Sequence, residues 1–130
     1  MFSLPHLLAV AGGASIGALC RWGLDFWLDR GSSSLPWGTL GANLVGGYLV
    51  GLVLGWLSLN PDLPVWLRLM LVTGFLGGLT TFSTFSAEAF GMLERGAYAT
   101  ALGYVGLSLL GSLGLTALGF ATVRMIRSGM

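Results

Sequence analysis

Chemistry in this chain of 130 residues concentrates between Val72 and Glu88, which reads VTGFLGGLTTFSTFSAE. Gly77 and Gly78 precede five hydroxyl residues, Thr80, Thr81, Ser83, Thr84 and Ser86, with Phe82 and Phe85 set among them. Hydroxyls are small donors and acceptors, and a phenyl ring has a negative face and a positive edge. Groups of this kind suit an ion stripped of water better than covalent catalysis. The stretch lies in an apolar segment, residues 64–95, that is longer than the roughly 20 residues a straight helix needs to cross a bilayer. Its length, paired glycines and clustered hydroxyls predict a helix broken near residues 77–81. Unwound backbone at that depth is tolerated only where it is buried in protein or lines a cavity. Broken helices are also where transporters hold their ions. The stretch is read as an ion site.

The rest of the chain is what must carry that site. It is 55% hydrophobic and 8% charged, with a mean hydropathy of +0.84. A soluble domain of this length could not hide so much apolar surface, so the expectation is an all-α integral membrane protein. Four spans fit, at about 4–28, 36–58, 64–95 and 97–126, forming a single membrane domain over residues 1–130. No positive charge precedes Arg21, which argues against a cleavable signal peptide. Cys20 stands alone, excluding a disulfide framework within one chain. There is no lysine and no basic patch, so nothing points to nucleic acid. Twenty-two glycines are the compositional anomaly. Gly13 and Gly17 form one small-residue pair, and Gly47, Gly51 and Gly55 a longer row, as expected where membrane helices approach closely.

Polar residues recur at helical spacing within the spans. Thr39 and Asn43 share a face, which Gly47 continues; an interhelical hydrogen bond and a lining role both explain the amide. In the fourth span Tyr104, Ser108, Ser112 and Thr116 form one stripe. Membrane serines and threonines commonly bond back to their own helix, and lining a path is the other reading. Arg21, Trp22, Asp25, Trp27, Asp29 and Arg30 mark the far interface of the first span. A polar turn at residues 31–34 and the loop from Asn60 to Pro64 separate spans. Glu94, Arg95 and Gly96 form a helix stop. Glu88 is the acid expected within the membrane, either neutral, capped by hydroxyls, or paired with an arginine.

The arginines divide evenly. Four spans place Arg68, Arg124 and Arg127 on one face and Arg21, Arg30 and Arg95 on the other. The positive-inside rule then gives no preferred orientation. A chain that inserts both ways up predicts an antiparallel homodimer, a two-chain inverted repeat. If two copies meet at the break, converging backbone carbonyls suit a small hard cation such as Na⁺; otherwise the two breaks satisfy one another directly. Phe82 and Phe85, three apart, share a face. Their edges can favour a small anion, with Ser83, Thr84 and the Asn43 amide replacing lost water. Packing against lipid is the competing explanation for both rings.

The run GFLGGLTTFSTFSAE, with PWGTLGANL-x-G before it and GGASIGALCRW near the start, resembles the Fluc (CrcB) fluoride channel family across all four spans. The resemblance implies a dual-topology homodimer with two antiparallel fluoride pores, in the cell (inner) membrane, exporting F⁻ passively. It implies a structural Na⁺ on the backbone carbonyls of Gly77 and Thr80 from both subunits. It assigns Phe82 and Phe85 to the pore, Asn43 to the vestibule and Tyr104, Ser108 and Ser112 to a polar track. Ser83 and Thr84 lie in the same motif. Arg21 matches the arginine that closes the first-span motif, with a role in attracting anions. The rival from another class is a proton-coupled small multidrug exporter, which needs a titratable carboxylate within its first span; His6 to Cys20 contains none. An assembly factor leaves the hydroxyl and phenylalanine run unexplained. No enzyme is expected, since His6 is a lone histidine near a terminus.

Overall fold

A computed structural model describes residues 2–28, 36–80 and 82–129. Asp29, Arg30, the turn at 31–34 and Thr81 lie outside the described residues. Every regular element described is helical. Helix α1 spans Leu4–Leu28 and α2 spans Trp37–Leu59. The third segment begins as α-helix over Val65–Arg68, widens to a π-helix over Leu69–Leu76, and closes with an α-turn at Gly77–Leu79. We call these three pieces α3. Helix α4 covers Phe82–Glu94 and α5 covers Tyr98–Ser128. Counting α3 and α4 as one segment, four are long and apolar enough to cross a membrane.

Glycine decides how the helices pair. A Cβ on Gly13 would collide with the Met70 carbonyl, and one on Gly17 with that of Phe75. From the other side, Gly74 and Gly78 lie against the backbone of Val10 and Ala14. Thus α1 and α3 touch backbone to backbone. Helices α2 and α5 do the same: a Cβ on Gly51 would strike the Thr116 carbonyl, and one on Gly119 that of Tyr48. Lipid is as apolar as leucine, so close packing and hydrogen bonds, not hydrophobic burial, hold such pairs. The bonds are present. Ser112 donates its hydroxyl to the Asn43 carbonyl at 3.2 Å and Thr116 to that of Gly47 at 2.8 Å. Tyr48 donates to the Thr122 hydroxyl at 3.1 Å.

The molecule is apolar outside and small inside. Its buried cluster is Leu40, Met92, Ala101 and Tyr104, with Phe85 and Leu44 packed against it. By contrast Phe26, Phe90, Leu102 and Leu110 are exposed, as lipid-facing residues should be. Trp22, Trp27, Trp37, Trp56 and Trp66 are all exposed too, each within about two turns of a span's end, where amphipathic rings favour the headgroup level. The turn from α4 to α5 is a Schellman motif: the amide of Ala97 donates to Met92 and that of Gly96 to Leu93. Gly96 takes φ 80°, which only glycine adopts without strain. This turn folds α4 back against α5, bringing Phe85 to Tyr104.

Candidate ion pathway

Between α3 and α4 the chain leaves helical geometry at Thr80, whose φ of −92° and ψ of 155° are extended. The last carbonyls of any helix lack intrahelical amides, and here they can be followed individually. That of Leu76 accepts from Thr80 twice, from its amide at 3.0 Å and its hydroxyl at 2.7 Å. That of Gly78 faces Arg21, whose Nε donates at 3.4 Å. Gly77, between them, is exposed, and a Cβ there would make only ordinary contact. Nothing within the chain's own packing therefore requires glycine at 77.

Beside the break lies a cavity of about 260 Å³ lined by Asn43, Thr80, Phe82, Phe85, Ser108, Leu109 and Ser112. Four separate elements contribute to it. Asn43 comes from the second turn of α2, the two phenylalanines from the first turn of α4, and both serines from α5. The rings of Phe82 and Phe85 lie 6.0 Å apart, and Phe85 continues the row to Tyr104 at 5.2 Å. Phe82 is 80% exposed, so one wall of the cavity is open on this chain.

The polar groups differ in whether they have a proton to offer. Ser112 already donates to Asn43, and Thr80 to Leu76. Ser108 is buried, and its hydroxyl has no hydrogen-bond partner among the described residues. An unpartnered buried hydroxyl is costly unless something else fills its valence. A ligand in the cavity would do so. Among the described residues no three His, Cys, Asp or Glu side chains cluster as metal ligands.

The other expected site residues sit nearby rather than in the lining. Ser83 and Thr84 are on the first turn of α4, outside the set that surrounds the cavity. Tyr104 is fully buried behind Phe85, and its hydroxyl donates to Glu88 Oε1 at 3.0 Å. A hydroxyl is therefore one partner of Glu88. Arg21 turns back onto the break instead of pointing only to the interface, because backbone contact between α1 and α3 brings them alongside. Leu109 in the lining and the π-helix over Leu69–Leu76 were not foreseen. Leu109 carries no signal in an apolar span, and a π-turn has no composition of its own.

Comparison with known proteins agrees with this arrangement. The chain is 64% identical to the fluoride-specific ion channel FluC of Bordetella petrii over 94% of each chain. It is 56% identical to that of Bordetella bronchiseptica over 96% of each, and 48% identical to that of Thiobacillus denitrificans over 95% of this chain and all of the other. The sequence model described as CrcB-like protein, Camphor Resistance (CrcB), matches residues 8–120. This chain belongs to the CrcB family.

Proposed function

We propose that this protein is a fluoride channel of the cell membrane, an ion channel and not an enzyme, through which cytoplasmic F⁻ leaves passively. The observation that carries this reading is the cavity in which the unpartnered Ser108 hydroxyl meets Phe82, Phe85 and Asn43. A fluoride ion there would accept from Ser108 and the Asn43 amide. The electropositive edges of Phe82 and Phe85 would supply attraction that a cation could not use. Tyr104, held by Glu88, backs Phe85 and fixes its tilt. Ser112 and Thr80, their protons committed, offer lone pairs and shape. Ser83 and Thr84 at the start of α4 extend the polar surface past the rings.

The physiological drive needs no pump. Neutral HF crosses a bilayer and dissociates in a less acidic cytoplasm, where the anion is trapped. A negative-inside potential then favours exit by about 2.3 kcal/mol per charge at 100 mV. The inner membrane is the location that fits, since that is where such a potential acts.

The working unit is an antiparallel homodimer inserted both ways up. Balanced arginines support it, as does an open cavity wall at Phe82. The outward Gly12, Gly23 and Gly114, with nothing within 4 Å of an added Cβ, leave room for another helix. The carbonyl of the exposed Gly77 and that of Thr80, repeated in two copies, would make an oxygen cage for a structural Na⁺. The residues fit such an ion: the backbone turns extended at Thr80, Gly77 has no side chain to screen it, and no carboxylate lies close by in sequence. When bound, the cation would join the two breaks.

The test is flux. Proteoliposomes loaded with KF and diluted into K⁺-poor buffer should release F⁻ to an electrode when valinomycin is added, with no proton gradient. Release that required a proton gradient would restore the exporter reading, against which the names of the relatives already stand. No release would sink the channel.

A further inference from the structure

Arg21 is a cationic side chain near the ion path, and attraction of anions is the obvious use for it. Its contacts say otherwise. Its Nε reaches the Gly78 carbonyl, 57 residues away in sequence, and its Nη1 lies 3.7 Å from Asp25 Oδ2. The guanidinium is thus divided between a carbonyl at the break and a carboxylate one helical turn on. Paired with Asp25, it presents a weakened charge to a distant anion. The fold produces this contact from glycine packing. Gly17 is one turn before Arg21, and its contact with Phe75 and Leu79 sets that stretch of α1 against the end of α3.

Two glycines in succession form the softest backbone available, and they lie immediately before the extended Thr80. Gly78 has no room for a side chain, since a Cβ would lie 2.5 Å from the Ala14 carbonyl. Packing locates it, and the single Arg21 Nε bond at 3.4 Å adds a side-chain hold on the direction of its carbonyl. The neighbouring Gly77 carbonyl inherits the orientation. A bare positive charge so near would repel a cation; Asp25 cancels that repulsion.

We propose that Arg21, with Asp25, is a positioning residue of the break, holding the Gly78 peptide so that the Gly77 and Thr80 carbonyls face a cation shared between two copies of the chain. This rests on the dimer and Na⁺ reading above. The experiment measures the Na⁺ concentration that half-protects the dimer from thermal dissociation in detergent, at constant ionic strength. Arg21→Met removes both donor and charge. Arg21→Gln combined with Asp25→Asn keeps an N–H at the Nε position and removes both charges.

Groups that orient metal ligands from behind are each worth about ten- to a hundredfold in affinity. Arg21→Met should therefore raise the Na⁺ requirement by about that factor. The Gln/Asn double variant should stay within about threefold of the parent protein, well inside that range. A merely structural loss would lower the melting temperature equally at every Na⁺ concentration and leave the midpoint in place. A double variant as impaired as Arg21→Met would overturn the proposal in favour of charge, as would an unmoved midpoint in Arg21→Met. If Arg21→Met does not assemble, the double variant alone decides by the same criterion. A parent protein indifferent to Na⁺ would remove the cation site itself, and this inference with it.

Discussion

The two helix pairs of this protein are built from the same materials and end in different states. Where α2 meets α5, glycine brings backbones together and the hydroxyls find acceptors: Ser112 on Asn43, Thr116 on Gly47, Tyr48 on Thr122 and Thr122 on Leu118. Where α3 gives way to α4, glycine again brings backbones together, but the ledger is left open. Gly77 is exposed and the Ser108 hydroxyl has no partner among the described residues. The same stripe on α5 serves both regions, since Ser108 and Ser112 are one turn apart. In a bilayer, a satisfied polar group is glue and an unsatisfied one is an invitation to an ion. Position relative to the break decides which a serine becomes.

The contrast can be broken most severely at the glycines. Gly51→Leu places its side chain into the Thr116 carbonyl, with the Phe120 amide 2.8 Å from its Cβ. Backbone cannot step aside as a side chain can, so the cost should exceed the roughly 1–3 kcal/mol of ordinary overpacking. Monodisperse protein should be lost on size-exclusion chromatography. Gly103→Ala, with nothing within 4 Å of the new methyl, should move the melting temperature by no more than about 0.5 kcal/mol would. A large loss at Gly103 would show that another chain covers that face.

Phe82→Ile and Phe85→Ile sharpen the open side of the comparison. A ring edge is worth about 1 kcal/mol, so each should cut fluoride flux by roughly fivefold to tenfold without separating the proposed dimer. They should differ in stability. Phe85 touches both Phe82 and Tyr104 and packs on the buried cluster, so losing its ring costs melting temperature. Phe82, mostly exposed, should cost little. Intact flux in both variants would remove the rings from the pathway.

How much of this was readable from sequence follows the same division. The four spans were legible because lipid imposes length and hydropathy on each one separately. The break was legible because Gly77, Gly78 and the hydroxyls interrupt a segment too long to be one straight crossing; the structure narrows the departure to Thr80. The glycine pairs were legible as contact surfaces but not by partner: nothing at Gly13 and Gly17 names Met70 and Phe75 as the opposing backbone. The polar stripe was legible as a row and not as two functions. Ser108 and Ser112 are the same residue at equivalent spacing, and only the neighbouring carbonyl of Asn43 separates them. Arg21 was legible by position and not by contact, for a related reason. Its side chain was assigned to the interface by position along α1, whereas tertiary packing turned it onto Gly78.

That separation of the two serines yields the smallest effects and the most telling ones. Ser112→Ala removes a donor from the Asn43 carbonyl. Interhelical bonds in membranes average about 0.6 kcal/mol, so a modest fall in melting temperature is expected. Ser108→Ala removes a buried hydroxyl whose bond is missing, which should leave stability equal or raised, because no pairing is lost and a desolvated dipole disappears. Flux should rank the other way, falling several-fold in Ser108→Ala and less in Ser112→Ala, since a charge-assisted bond to an anion is about twice as strong as a neutral one. Measured together, melting and flux therefore form a crossed pair. Should Ser108→Ala melt lower and conduct normally, its hydroxyl would be glue like its neighbour's, and the two sides of the molecule would no longer differ in kind.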